Sequence, residues 1–329
     1  MWRGDLKPNT NNVDVGGIGT FSASGNYNAY GNTMSLLYYS SYYNKQLDSA
    51  TYNFAFHRLF YNDTHLLTAP ILPSITLTTY CYSQMFRGCT SLATAPELPA
   101  TTLTSLCYSS MFSGCSNLVN APELSAMTLA YNCYNSMFNG CTSLITAPEL
   151  PATTLANYCY HRMFSGCTAL VNVRTLPATT LKDYCYMFMF QGCTSLTTTP
   201  ALLATTLASD CYKGMFKGCT SLTIASELLA TTLAAGCYRE MFYGCTSLTI
   251  APSLPATTLT SGCYTEMFSG CTNLNYIKCL ATNISSSGCL TSWVTNVAST
   301  GTFVKAAGMT GWSTGTSGIP EGWIVEDNA

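Results

Sequence analysis

The residue whose chemistry this sequence offers most often is cysteine. Eighteen occur in 329 residues, and sixteen of them fall into two series. A Cys-Tyr pair at Cys81 returns at Cys107, Cys133, Cys159, Cys185, Cys211, Cys237 and Cys263, each step 26 residues long. A Gly-Cys pair keeps the same step from Cys89 through Cys115 to Cys271. In a stack of repeats, equivalent residues lie about 4.8 Å apart. Thiols in such columns could bridge to their neighbours, as could Cys107 and Cys115 within one repeat. Packing explains both columns equally well if cysteine serves as a small buried hydrophobe. Cys279 lies outside the columns and could pair with Cys289. The intervals do not resemble the CxxC knuckles that hold a tetrahedral zinc ion, so no metal is expected.

Other chemistry is thin. Only His57, His65 and His161 could act as acid–bases near neutral pH, and they stand in unrelated contexts. No G-x-S-x-G, H-E-x-x-H, P-loop or dinucleotide fingerprint occurs, and the many Ser and Thr residues have no base to activate them. The expectation is a non-enzymatic protein without a cofactor. Glu97, Glu123 and Glu149 stack in consecutive repeats, with Glu227 further on. Calcium wants six to eight oxygens, more than this ladder offers, so a solvated face is expected. Leu-Pro-Ala-Thr-Thr at Leu98, Leu150, Leu176 and Leu254 approaches a sortase signal, but its fifth residue is Thr where Gly is needed. The same threonines form ladders. On an extended chain adjacent side chains point to opposite faces, so one of each pair is expected to line a plane.

More informative is where the repeats differ. The two positions after Cys-Tyr vary freely: Ser83-Gln84, His161-Arg162, Met187-Phe188, Lys213-Gly214 and Arg239-Glu240 occupy them in turn. The position before Gly varies as well, from Arg87 to Lys217 and Tyr243. Columns that vary in a stack must face solvent. They are either unconstrained surface or a recognition strip of His161, Arg162, Met187, Phe188, Lys213, Arg239, Glu240 and Tyr243. In the second reading Met187, Phe188, Arg239 and Tyr243 are the anchors.

The elements that position this strip follow from the fixed period, which is the signature of a solenoid. Columns headed by Leu92, Leu98 and Leu103 supply the core, together with Met-Phe pairs such as Met85-Phe86. Residues 103–114 space Leu103, Cys107 and Met111 like one side of a short helix. Gly114 would end that helix in the left-handed conformation, a role passed to Asn62 and Asn296 at the two ends of the array. Residues 92–98 predict a short parallel strand, kept brief by a column of prolines at 70, 96, 122, 148, 200 and 252 that Arg174, Ser226 and Lys278 interrupt. Each repeat should thus carry one short strand and one short helix, an α/β repeat. Residues 52–288 would form the solenoid. Residues 1–51 would form an N-terminal β-rich cap, with short strands expected around Gly16 to Phe21 and Gly25 to Asn32. Residues 289–329 would form a C-terminal cap with short strands, sealed by Trp293-Val294. Asp63, in the second cysteine column, suits a first repeat that faces water.

Charged residues make up only 9% of the chain, against a norm of about 25%, and the net charge is −2. Nothing here prepares a nucleic-acid surface. No apolar run is long enough to span a membrane, so no membrane insertion is expected. The opening Met1-Trp2-Arg3-Gly4-Asp5 does not read as a signal peptide, which leaves export by other means or an excised fragment.

The core Met-Phe-x-Gly-Cys-Thr-Ser-Leu, followed by Leu-Pro and a run to the next core, resembles the BspA-like leucine-rich repeats of gut and oral bacteria. The match covers about residues 52–273. It departs in its longer period, in Met for Ala and in the proline within the strand. Segments flanking the array are similar to those in Bacteroides-type surface proteins and their phages. The resemblance implies a right-handed solenoid exposed outside the cell, binding a host or bacterial surface protein or a glycan. The alternative it leaves open is a phage virion fibre, decoration or receptor-binding protein. Oligomeric state is not legible.

Overall fold

The computed structural model describes residues 20–38, 45–47 and 52–328. The expected elements around residues 16–19 and the opening residues lie outside these. Within them the 26-residue units stack as rungs, and one continuous hydrophobic core runs through the stack.

The short helix expected in every repeat is not formed. Residues 78–89 and their equivalents instead make a ribbon of overlapping β-turns, in which alternate amides bond in two directions. Ser83, Met85, Arg87 and Cys89 donate to carbonyls three residues back, those of Tyr80, Tyr82, Gln84 and Phe86. Tyr82, Gln84, Phe86 and Gly88 donate instead to the next rung, at Cys107, Ser109, Met111 and Ser113, over 2.8–3.0 Å. An α-helix would bond only within itself. The ribbon satisfies its polar backbone and ties rung to rung at once.

That pattern needs a left-handed residue every fourth position: Tyr80, Gln84 and Gly88 have φ of 59°, 55° and 76°. A positive φ at the third residue is the mark of a type II turn. The glycine column, at φ 71–77° from Gly88 to Gly270, therefore marks one left-handed column of three. Asn62 and Asn296 take the same conformation at φ 59° and 58°.

On the opposite side the strands shrink further than expected, to isolated parallel bridges such as Thr94↔Asn120 and Thr146↔Asn172. Four-residue strands form toward the C-terminal end, where Lys278 stands in the proline column. There β3 (Tyr276–Cys279) pairs in parallel with β4 (Thr302–Lys305), and β4 with β5 (Ile324–Asp327). At the other end, β1 (Tyr27–Asn28) pairs in parallel with β2 (Leu66–Thr68), and the single turn α1 (Ser35–Tyr38) follows β1.

The interior is built from ladders of identical side chains. Phenylalanines stack from Phe60 to Phe268 with centroids 5.5–5.7 Å apart. A second ladder, of fully buried tyrosines from Tyr82 to Tyr264, runs beside it at 5.7–6.1 Å. Stacked pairs of this kind contribute about 0.5–1.5 kcal/mol each beyond their buried area. Both ladders end on Trp293, 6.2 Å from Tyr264 and from Phe268. The indole of Trp293 donates to the Gly318 carbonyl at 2.8 Å and seals the last rung.

All eighteen cysteines are free and buried, so Cys279 and Cys289 do not pair. In the Gly-Cys column each thiol donates to a phenylalanine carbonyl of the preceding rung, as Cys115 does to Phe86, over 2.9–3.1 Å. That carbonyl already accepts an amide within its own rung. Cysteine is thus more than a filler: it offers a weak donor where an aliphatic side chain offers none. Asp63 does not face water. It is buried, accepts the Tyr27 hydroxyl at 2.5 Å and the His65 amide at 3.0 Å, and ties the N-terminal segment to the first rung.

Candidate functional site

The variable positions do not all face solvent: Arg87 and Arg162 are exposed, but Ser83, Ser109, Ser113, Ser165 and Ser269 are buried, because a small side chain there is covered by its neighbours. The larger candidates fall into two groups. The first gathers around Phe188. Its ring lies against the backbone of Gly214 in the next rung, where a Cβ would come within 2.2 Å of the ring. The Arg162 guanidinium stands 4.9 Å from the ring centroid and the Lys213 ammonium 6.0 Å. His161 approaches the same ring at 6.5 Å. Met187 is half-buried beside it in sequence, and Arg162 is exposed.

Three residues outside the expected set extend this group. Tyr158 and Tyr184 stack face to face at 4.5 Å, and Tyr158 meets His161 edge-on at 5.8 Å. Tyr131 abuts Tyr158 at 6.0 Å and is half exposed. They belong to the ribbon immediately before Cys-Tyr, where Tyr80, Asn132, Asp210 and Gly236 show that the column of Tyr158 also varies. That variation was the available signal.

His161 is held neutral. Burial, aided by the adjacent Arg162 charge, lowers its pKa from 6.5 to about 4. Asn135 Nδ2 lies 3.2 Å from His161 Nδ1, so that nitrogen accepts and Nε2 carries the proton. Among the described residues, neither Arg162 nor Lys213 has a carboxylate within ion-pair distance. Asp183, beside Tyr158, is engaged by the Ser209 amide at 3.0 Å, and Asp210 is turned against Gly236 of the next rung.

In the second group Lys217 and Glu240 satisfy each other, while Arg239 Nε is buried without a hydrogen-bond partner. Lys217 donates to Glu240 at 2.5 Å and lies 4.3 Å over the Tyr243 ring. Arg239 reaches toward Gly262 of the following rung. Arg239, Glu240 and Tyr243 therefore stand apart from Phe188.

The remaining candidates fall elsewhere. His57 is half-buried between Phe54 and Tyr80, its pKa lowered to about 4 by burial and then by Arg58. In the glutamate ladder, Glu149 pairs with Arg174 at 3.4 Å and Glu227 accepts the Ser253 amide at 3.1 Å, both in solvent. Among the described residues, no three His, Cys, Asp or Glu side chains come together as a metal site would need. Burial raises the thiol pKa values throughout, Cys107 to about 12 and Cys263 to about 11. The threonine pairs differ from expectation. Thr101 and Thr102 are both exposed, as are Thr153 and Thr154, because the chain is extended for only one bridged residue there. Among the described residues no helix is long and apolar enough to cross a membrane.

What the fold defines is a repeat solenoid with a variable outer ribbon. No family model and no curated protein matches the chain. Among solved structures it is similar to a leucine-rich repeat protein from Bacteroides ovatus, at 16% identity and a TM-score of 0.42, over 83% of this chain and 78% of that one.

Proposed function

We propose that the chain is a non-enzymatic binding module, a BspA-like leucine-rich repeat solenoid that works outside the cell and holds a protein or glycan against its outer ribbon. The observation that carries this reading is the group around Phe188. There, aromatic and cationic side chains collect on a rigid scaffold, and two of the cations have no counter-ion. The interior supports the same reading, since its thiols and tyrosines are buried in the stack, and on the ribbon His57 and His161 are held neutral. A long rigid face favours binding because few groups must be ordered when a partner arrives.

The second reading, a phage virion fibre, decoration or receptor-binding protein, is favoured by the eighteen unpaired thiols. A chain that rich in cysteine avoids mispairing most readily by folding in a reducing compartment.

The test is a screen of the immobilised protein against extracellular matrix proteins, bacterial surface proteins and a glycan panel, with Arg162→Ala/Phe188→Ala alongside. The expected result is a partner that the double variant loses. No partner, or binding indifferent to those substitutions, would overturn the reading. An antibody against the chain that decorates the envelope of the source cells supports the first reading, and one that decorates phage particles supports the second.

A further inference from the structure

We infer that the group around Phe188 is a site for an acidic sugar, a pyranose bearing a carboxylate or sulfate. This rests on the binding reading above and names the chemistry of its ligand. Two observations converge on it.

The first is charge. In a chain with so few ions, Arg162 and Lys213 flank one ring without a counter-ion among the described residues. Of the nearby carboxylates, Asp183 is engaged by the Ser209 amide, and Asp210 Oδ1 is buried against Gly236 without a hydrogen-bond partner. An anion brought by the ligand supplies what is missing. The guanidinium, 4.9 Å over Phe188 and free of any carboxylate among the described residues, has N–H groups for the two-pronged contact that carboxylate and sulfate accept.

The second is shape and donor character. Pyranose rings present flat C–H faces that pack on aromatic rings, and His161 links Phe188, at 6.5 Å, to the Tyr158–Tyr184 stack, meeting Tyr158 at 5.8 Å. His161 is fixed as a neutral Nε2–H donor by Asn135. With Arg162 and Lys213 it makes a set of three donors, matched to an acceptor-rich ligand.

The experiment is calorimetric titration of the full chain with polygalacturonate, heparin, neutral dextran and polyglutamate at low and moderate salt. Binding of polygalacturonate or heparin, weakened by salt and not matched by dextran or polyglutamate, is expected. Which of the two binds tells carboxylate from sulfate. Arg162→Gln, Lys213→Gln and Phe188→Ala should each weaken binding about tenfold or more, while Lys217→Ala, which breaks the separate pair with Glu240, leaves it unchanged. Unaltered melting of the variants guards against misfolding. Equal affinity for dextran, preference for polyglutamate, or indifference to the Arg162 and Lys213 substitutions overturns the inference. If a different partner binds and is lost with Phe188→Ala, the acidic-sugar inference fails while the broader binding reading stands.

Discussion

A pair of neighbouring glycine substitutions separates the turn ribbon from the helix that the spacing suggested. Ser109 and Ser110 are adjacent, yet Ser110 has φ of 54° and Ser109 does not have a positive φ. Ser110→Gly removes a left-handed L-residue, relieving about 1–2 kcal/mol. It also frees the unfolded chain, at a cost of about 0.5–1 kcal/mol. The net is a gain of about 0.5–1 kcal/mol. The Ser110 amide still reaches the Asn135 carbonyl, at 2.7 Å, because no backbone bond is altered. Ser109→Gly relieves nothing and should cost about 0.5–1 kcal/mol. Glu266→Gly, at φ 53° and far along the array, should add independently to Ser110→Gly. In an α-helix both serine substitutions would instead cost about 0.5 kcal/mol. Urea midpoints followed by aromatic circular dichroism provide the measurement. Amide exchange within the substituted rung complements it, since a stack need not unfold in one step. Equal losses from Ser109→Gly and Ser110→Gly would refute the ribbon.

Three further outcomes are expected. The native protein should leave all eighteen thiols unreacted toward Ellman's reagent at pH 8 and release eighteen in denaturant, because burial keeps them protonated; prompt native reaction of several would contradict the buried columns. Trp293→Ala removes the end of both aromatic ladders and the bond to Gly318, and should cost about 3–5 kcal/mol, seen as early amide exchange spreading from the C-terminal rungs; a loss under 1 kcal/mol would show that the seal lies elsewhere. His161 has its folded pKa lowered from 6.5 to about 4, so the unfolded chain binds the extra proton between those values. Stability should therefore fall as pH drops through that window and level off below it. His161→Gln should narrow its gap to wild type across the same range, and a gap constant from pH 7 to 4 would count against the assignment.

Much of this was legible because stacking leaves so little freedom inside. The Leu, Met, Phe and Cys columns name the core directly, and glycine or asparagine marks one left-handed position per rung. The helix misled because Leu103, Cys107 and Met111 are four apart, a spacing that helix and turn ribbon share. The distinguishing detail is that Cys107-Tyr108, Met111-Phe112 and Cys115 keep to a strict period of four, without the drift that 3.6 residues per turn imposes. The tyrosine ladder was hidden by the polar hydroxyl of its residues, although its invariance equalled that of the phenylalanines. Asp63 was misplaced because its partner Tyr27 lies in a segment outside the repeat. Tyr158 and Tyr184 escaped notice because attention fell on the positions after Cys-Tyr, whereas the whole outer edge of the ribbon varies.

The same hydrogen bonds that close the ribbon also set the geometry available to a ligand. Even-numbered amides from Tyr82 to Gly88 bind each rung to the next, and the phenylalanine ladder holds a repeat of 5.5–5.7 Å between ring centroids. A side chain on the outer ribbon can be exchanged without altering the backbone bonds, which do not depend on it, but its neighbours along the column limit the choice. Gly214 shows this: a Cβ there would come within 2.2 Å of the Phe188 ring of the preceding rung, which Lys213 also reaches. Substitutions of Arg162, Phe188 or Lys213 should accordingly alter affinity far more than stability, whereas one at Cys193 or Phe190 should do the reverse.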